Sequence, residues 1–192
     1  MWPAAIVRRI QSFAGNLTRR GLLLSGGCLL ALRAARASDA SQTVKIETFS
    51  ASGESLGEIA APKVIKSDAE WRATLTPDQF NVTRQAATEA PYSGVYWDFH
   101  DDGLYRCVCC GTALFDSETK YNSHTGWPSF YRAISYDNVV RRDDDEFMMH
   151  RVEALCTLCD AHLGHIFTDG PRPTGLRYCM NSAALAFVAR GH

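Results

Sequence analysis

The chain has 192 residues, of which 46% are hydrophobic and 21% charged, as in an ordinary globular protein of one domain with a tail. The formal net charge of −1 is unevenly distributed, because residues 1–37 contain six Arg and no acid, whereas the rest carries 14 Lys and Arg against 21 Asp and Glu, a net charge of −7. A body with this acidic charge is a poor partner for nucleic acid. The sequence also has no run of about 20 apolar residues that could insert stably in a membrane. We therefore expect neither nucleic-acid binding nor membrane insertion, and we expect a monomer.

The first 37 residues have the three-part plan of an export signal. The stretch 18–23, Thr-Arg-Arg-Gly-Leu-Leu, resembles a twin-arginine motif. A short apolar run over 21–32 follows, and Ala-Arg-Ala at 35–37 is a small-x-small cleavage site. We therefore predict that residues 1–37 are a twin-arginine-type export signal and that the protein is periplasmic or secreted. The alternative is an amphipathic or disordered tail.

The next segment, residues 38–66, is predicted to be a linker and N-terminal extension. Within it, alternation of polar and apolar residues over 44–49 indicates an added strand. Two capping-box patterns then predict two short helices, one capped by Ser67 and running to Leu75, the other capped by Thr76 with proline at its first position.

The second half of the chain has the pattern of short strands separated by turns. Strands are predicted at 104–108, 114–115, 139–142, 147–155, 162–167, 176–181 and 184–188. The acidic residues 143–146 between the two arms of a hairpin are interpreted as a solvated turn. The predicted class is α+β, mainly antiparallel β-sheet with short N-terminal helices.

Two Cys-x-x-Cys units stand out in this half, and each lies between a strand-like run and a turn. One contains Cys107 and Cys110, the other Cys156 and Cys159. Two such knuckles facing each other place four thiolates around one point, which is the tetrahedral geometry of structural zinc. We therefore predict a structural Zn²⁺ ion. Two local disulfides or four buried thiols are the alternatives, and the spacing does not distinguish zinc from iron.

A candidate nucleophile lies in a later strand. Arg177, Cys179 and Asn181 occupy alternate positions, so that they share one face of the strand. A cation beside a thiol favours the thiolate, which is the nucleophilic form, and the Asn181 amide can orient a water or a polar substrate atom. A single cysteine in a strand is more often a small buried apolar residue, so the assignment depends on the surrounding groups.

Three further side chains complete this candidate site. His162 and His165 titrate near neutral pH and are suited to donate a proton. Trp127 offers a flat apolar wall. Taken singly, each has a structural interpretation as a core residue. Together they suit a small neutral substrate with one apolar group and one basic oxygen.

The motifs together resemble those of one family, the peptide-methionine (R)-S-oxide reductases, the B type of methionine sulfoxide reductase. The matching stretches are Glu70-Trp71-Arg72, Leu75-Thr76-Pro77, Thr83-Arg84, Thr88-Glu89, Gly103 to Phe115, Lys120-Tyr121, Gly126 to Phe130, Cys156 to His165, Asp169-Gly170-Pro171 and Arg177 to Ser182. They extend over residues 67–188. The resemblance implies that residues 67–190 are a catalytic domain of this type, with a bent antiparallel sheet.

The resemblance also implies a role for each site residue. Cys179 matches the nucleophile, and Arg177 the arginine that lowers its pKa. The groups matching those that hold and protonate the sulfoxide oxygen are His162, His165 and Asn181. Trp127 matches the wall for the substrate methyl group, Phe130 is assigned to substrate binding with it, and the zinc ligands match Cys107, Cys110, Cys156 and Cys159.

The implied reaction repairs oxidised proteins by reducing the R epimer of methionine sulfoxide, leaving a sulfenic acid on Cys179. Many relatives carry a recycling cysteine where this chain has Thr125, and the spare Cys109 lies inside the first knuckle. The expected reductant is therefore an external thiol, such as a thioredoxin-like partner. The competing interpretation is a non-catalytic binding module on a zinc-clamped β frame, since fold and metal do not by themselves give an activity.

Overall fold

The structure is a computed structural model that describes residues 42–144 and 151–191. The predicted export signal, residues 1–37, lies outside the described residues, as does the segment 145–150 of the predicted hairpin. Within the described part of the chain, no helix combines the length and apolar character needed to cross a membrane.

An antiparallel hairpin opens the described chain, formed by β1 (Thr43–Phe49) and β2 (Ser55–Pro62). The alternating pattern predicted β1, whereas β2 has no such alternation and was missed. The fully buried Asn138 fastens β1 to the body. Its side-chain oxygen accepts a hydrogen bond from the Glu47 N–H at 2.8 Å, and its amide donates to the carbonyls of Glu47 and Ala113, both at 2.8 Å.

Two short helices follow, α1 (Asp68–Arg72) and α2 (Pro77–Gln85). Both predicted capping boxes are present, because the side chains of Ser67 and Thr76 accept hydrogen bonds from the third residue of each helix. However, α1 ends before the expected Leu75. Thr76 adopts an extended conformation, which is the conformation favoured before a proline, so the first helix has to end upstream of it.

The largest sheet of the described residues has six antiparallel strands in the order β5-β6-β10-β9-β8-β7. They are β5 (Lys120–Tyr121), β6 (Ser129–Phe130), β7 (Val139–Asp144), β8 (Arg151–Cys156), β9 (His162–Phe167) and β10 (Arg177–Met180). The prediction of a solvated turn at 143–146 is wrong for its first two residues. Asp143 and Asp144 extend β7, because they continue the register against Val152 and Arg151.

A second sheet of three strands packs beside it, in the order β11-β3-β4. Its strands are β11 (Leu185–Ala189), β3 (Gly103–Cys107) and β4 (Ala113–Asp116). Aromatic rings from both sheets meet in the core, where Phe115 stacks on Phe130 at 4.4 Å and meets the edge of Tyr178 at 5.6 Å. The predicted class, α+β with a mainly antiparallel sheet and short N-terminal helices, is confirmed.

A β-bulge interrupts the pairing of β8 with β9. The register shifts by one between Ala154 and Leu155, which leaves Leu163 as an extra residue on β9. A one-residue shift reverses the face to which the following side chains point. Regular alternation would place His162 and His165 on opposite faces of the sheet, yet their ring centroids are only 5.4 Å apart.

Gly164, next to the bulge, has a φ of +151°, and a Cβ there would lie 2.2 Å from the carbonyl oxygen of Cys179. We predict that Gly164→Ala lowers the free energy of unfolding by about 2–4 kcal/mol, because strain and overpacking act together. Urea denaturation measures the loss.

Gly175→Ala is the matched control for this substitution. Gly175 also has a positive φ, +70°, but nothing lies within 4 Å of its would-be Cβ. Gly175→Ala should therefore lower the free energy of unfolding only by the backbone cost of a positive φ, about 1–2 kcal/mol. Equal losses in the two variants would contradict the close packing of β9 against β10.

Candidate active site and metal centre

One residue from each strand of the six-stranded sheet belongs to a single row across it. In sheet order the row is Tyr121, Ser129, Cys179, His165, Glu153 and Arg142. Residues directly opposite each other in an antiparallel pair project to the same face. The register therefore places the Cys179 thiol beside His165 and near the middle of the sheet.

A cleft of about 190 Å³ opens over this part of the row. Its walls are Thr88, Trp127, Arg151, Gly164, His165, Phe167, Cys179 and Asn181. Four of the predicted site residues, Cys179, His165, Asn181 and Trp127, therefore meet in one place. Phe167 was missed, although it follows His165 by two positions and so shares its face of the strand. Thr88 belongs to one of the stretches that carry the family resemblance but was not assigned to the site, and Arg151 carries no sequence signal that would have placed it here.

Phe130, which was expected to bind substrate, does not line the cleft. Its side chain is fully buried in the core, stacked on Phe115 and packed against the edge of Tyr105. The reason is its strand position. Its neighbour Ser129 is the residue opposite Cys179, so Phe130 points to the other face of the sheet.

The electrostatic environment of Cys179 is a balance of opposing effects. Burial raises the pKa of the thiol, whereas the Arg177 charge and the hydroxyls of Thr125 and Ser129 act to lower it without outweighing burial. Arg177 is held in place by Asp169 through two hydrogen bonds of 2.8 Å, which in turn raise the arginine pKa. The cation therefore limits the cost of forming a thiolate in this partly buried position.

The two histidines have different surroundings. His165 lines the cleft, and its Nε2 lies 3.0 Å from the carboxylate of Asp144. His162 lies deeper, with Nδ1 2.6 Å from a carboxylate oxygen of Glu153. Burial lowers the pKa of His162, although Glu153 opposes this. Asp144, predicted to be solvated, is thus part of the supporting structure, as is Glu153.

Asn181 and Trp127 are both anchored to Glu89. The backbone N–H of Glu89 donates to the Asn181 side-chain oxygen at 3.0 Å, and its carbonyl accepts from the Trp127 indole at 3.1 Å. The Glu89 carboxylate accepts from the backbone N–H groups of Ser182 and Ala183. The Asn181 amide also donates to the carbonyl of the bulged Leu163 at 3.2 Å. Asn181 and Trp127, which line the cleft, are therefore both positioned by Glu89 in the loop after α2.

The four cysteines of the two knuckles converge, as the spacing predicted. Their sulfur atoms all lie within 4.8 Å of one another, and the pairs Cys107–Cys159 and Cys110–Cys156 are 3.6 and 3.5 Å apart. These distances are too long for disulfides, whose sulfurs are about 2.05 Å apart. They suit ligands placed about 2.3 Å from a shared ion. The four cysteines are therefore positioned to bind one metal ion, and in this structure they are free cysteines rather than disulfides.

The two knuckles have the same backbone structure. In the first, Gly111 donates from its N–H to the Cys107 carbonyl at 2.8 Å, and in the second Asp160 donates to the Cys156 carbonyl at 2.9 Å. Gly111 and Asp160 both have positive φ, 79° and 54°. Cys109, between the ligands of the first knuckle, is partly buried and does not belong to the four-sulfur cluster.

Comparison with known proteins identifies the family. Residues 75–189 match the family described as the SelR domain. The chain is 59% identical over 127 residues to "Peptide methionine sulfoxide reductase MsrB" of Herminiimonas arsenicoxydans, covering 66% of this chain and 93% of that protein. It is 54% identical over 122 residues to a protein of the same name from Thiobacillus denitrificans, covering 64% and 92%. It is also 54% identical over 119 residues to "Peptide methionine sulfoxide reductase B1, chloroplastic" of Oryza sativa, covering 62% and 56%. The chain is similar to the Herminiimonas and Thiobacillus proteins over nearly their whole length, and it belongs to the SelR domain family.

Proposed function

We propose that this protein is a peptide methionine sulfoxide reductase that returns the R epimer of methionine sulfoxide in proteins to methionine, and so repairs oxidative damage. The observation that carries the proposal is the cleft, in which a thiol, a histidine, an amide and an indole face one small volume. The names of the relatives support the activity. The choice of the R epimer follows from the resemblance to the B type.

In the proposed reaction the Cys179 thiolate attacks the sulfoxide sulfur. The attack forms a bond between the two sulfurs. This bond and the sulfur–oxygen bond of the substrate then break as the oxygen passes with one proton to Cys179, so that Cys179 is oxidised by two electrons to a sulfenic acid and methionine, reduced by two, leaves. A protonated oxygen is easier to transfer, and the imidazoles of His165 in the cleft and of His162 behind it are suited to donate that proton. Arg177 supports the thiolate against the effect of burial.

The apolar part of the cleft fits the remainder of the substrate. Trp127 and Phe167 are the two aromatic walls, and the hydrogen bond from the Trp127 indole to Glu89 fixes the plane of the ring. A methyl group of the sulfoxide packs against such a surface, while its oxygen faces His165 and Asn181. This division of the cleft into an apolar wall and a polar wall orients a small neutral sulfoxide.

The activity is tested with two synthetic peptides, one for each sulfoxide epimer, and a chemical dithiol as reductant. We expect turnover of the R epimer and a loss of about 10³-fold or more in Cys179→Ser, because the attacking atom is removed. The fold should be retained, as judged by the melting temperature. Cys109→Ser is the matched control and should keep full turnover.

The same experiment separates the enzyme from the alternative, a binding module on the same frame. A binding module predicts that Cys179→Ser behaves as the wild type and that neither epimer is reduced. Reduction of the S epimer alone would contradict the assignment to the B type.

The proposed reductant is an external, thioredoxin-like thiol. Thr125 stands where many relatives carry a recycling cysteine, and its hydroxyl lies 3.9 Å from the Cys179 sulfur. A cysteine at this position would be close to the nucleophile, but a threonine cannot form a disulfide. The spare cysteine, Cys109, lies within the first knuckle.

Without reductant, substrate should therefore leave Cys179 as a sulfenic acid. Mass spectrometry after trapping with a sulfenic-acid reagent should find the label at Cys179, equally in wild type and in Cys109→Ser. A disulfide between Cys109 and Cys179 would show that this chain recycles itself through an internal thiol.

The proposed metal is zinc, with a structural role. Cys107, Cys110, Cys156 and Cys159 hold it, and four thiolates leave no open position for substrate. Because such a site does not exist in the unfolded chain, metal binding contributes directly to folding. We predict that Cys156→Ser lacks the metal by elemental analysis and is largely unfolded by circular dichroism.

Cys109→Ser again provides the control and should retain both metal and fold, since Cys109 neighbours the cluster but is not one of its four converging cysteines. A Cys156→Ser variant that is folded and fully active would show that the metal centre is dispensable. Elemental analysis of the wild type distinguishes zinc from iron.

The proposed location is periplasmic or secreted, by the twin-arginine route. The arginine pair, the short apolar run and the small-x-small site of residues 1–37 support it. Export after folding would suit a protein whose metal ligands are thiolates, because the metal protects them from oxidation.

A further inference from the structure

Glu153 is a buried carboxylate that the proposed reaction does not use. Its side chain is 7% exposed. One carboxylate oxygen lies 2.6 Å from Nδ1 of His162, and the other accepts hydrogen bonds from Nε and Nη2 of Arg142 at 2.9 and 2.6 Å. Burying a charge is costly unless it is paired and hydrogen-bonded. Both oxygens of Glu153 have such partners, and one of the partners is a histidine of the candidate site.

His162 has one ring nitrogen that is hydrogen-bonded and one that has no hydrogen-bond partner among the described residues. Its side chain is 4% exposed, and Nε2 is a buried atom without a hydrogen-bond partner in the described part of the chain. A buried polar atom without a partner is uncommon and calls for an explanation. The two nitrogens lie on different edges of one rigid ring, so the bond from Nδ1 to Glu153 decides where Nε2 points. The ring lies against His165, which lines the cleft.

We propose that Glu153 is a positioning residue for sulfoxide reduction: it holds a proton on Nδ1 of His162, so that Nε2 is presented to the sulfoxide oxygen, directly or through one water. This inference rests on the proposed function. An ionised carboxylate accepts hydrogen bonds and cannot donate them. In neutral His162 the proton must therefore be on Nδ1, and Nε2 is left as an acceptor. When the ring is protonated, Nε2 becomes the donor toward the substrate.

Arg142 supplies the positive charge that pairs with Glu153. It lies opposite Glu153 in the pairing of β7 with β8, while His165 lies opposite Glu153 in the pairing of β8 with β9. The arginine side chain is 64% exposed to water, although its Nε and Nη2 contact the buried carboxylate. The guanidinium supplies the opposite charge that a buried carboxylate needs, and a carboxylate oxygen accepts the hydrogen bond from Nδ1–H.

The charged and titratable groups around His162 are Glu153, His165 and Asp144, with Arg142 and Arg151 bound to the two carboxylates. Burial lowers the His162 pKa most strongly, His165 lowers it further, and Glu153 and Asp144 raise it. Removing the Glu153 charge removes one of the effects that raise this pKa against burial, so the pKa of His162 should fall further. A smaller fraction of His162 is then protonated at any pH above that value.

The test compares Glu153→Gln with Asp143→Asn, which removes one carboxylate from an exposed position of β7. Single-turnover reduction of an R-sulfoxide peptide is measured over a range of pH. We expect Glu153→Gln to be slower by about tenfold or more at neutral pH, with its alkaline decline displaced to lower pH. Asp143→Asn should match the wild type in both respects.

A second measurement uses the wild-type protein, so that the inference is tested even if Glu153→Gln does not fold. Nitrogen NMR of the imidazole of His162, assigned through a His162→Gln variant, should find the neutral ring protonated on Nδ1. A neutral ring protonated on Nε2 would overturn the proposal.

An unshifted pH profile in a folded Glu153→Gln would overturn it as well, since a merely structural carboxylate changes stability without moving the pH dependence. If wild type reduces the sulfoxide and either of these results is found, the Glu153 inference fails while the proposed function stands. If wild type reduces neither epimer, the proposed function itself fails.

Discussion

The site depends on one extra residue in the middle of a strand. Without the bulge at Leu163, His162 would point to the face opposite His165. The carbonyl of Leu163 also accepts hydrogen bonds from the backbone and the side chain of Asn181, at 2.8 and 3.2 Å. Gly164 lets β9 approach the Cys179 backbone more closely than any side chain would allow. A single irregularity thus arranges both histidines, the amide and the strand that carries the thiol.

The four-cysteine cluster is connected to this site through the strands β8 and β9. The second knuckle joins β8 to β9, and the bulge lies in the pairing of these same two strands. The N-terminal segment adds to the same clamp, because Val64 donates to the Leu158 carbonyl at 2.8 Å and Arg84 donates to the Cys159 carbonyl at 2.8 Å. The four cysteines come from chain segments about 50 residues apart in sequence, so a metal ion bound by all four would hold these segments together, as a structural metal does in a small domain.

Buried charge is handled by pairing throughout the site. Glu153 has Arg142 and His162, Asp144 has Arg151 and His165, and Arg177 has Asp169. Each pair limits the cost of keeping a charged group near an apolar cleft. The thiol of Cys179 has no such full partner, and burial raises its pKa. The charges are therefore arranged around the place where charge forms during the proposed reaction, rather than on the resting nucleophile.

Several features could be predicted from local rules, because neighbours along the chain are sufficient to define them. The capping boxes located both helix starts, the two Cys-x-x-Cys units located the metal cluster, and alternation in β10 placed Cys179 with Arg177 and Asn181. The same local reasoning gave the α+β class. Alternation would also have found Phe167, which is two residues from His165 and so shares its face of the strand. Phe130 is next to Ser129, the residue opposite Cys179, and so points to the other face.

Other features depend on which strands pair and in what register, and no local pattern encodes that. The row that joins Glu153, His165 and Cys179 comes from three separate strands. The bulge at Leu163 is seen only when β9 is aligned with β8. Asp144 lies in a strand and not in the predicted solvated turn, because β7 continues in register with β8. Residue types and their spacing in the chain therefore identified the candidate nucleophile and the four cysteines that converge. Long-range pairing determined how the groups around the nucleophile face one another, because cross-strand distances are set by hydrogen bonds between segments far apart in sequence.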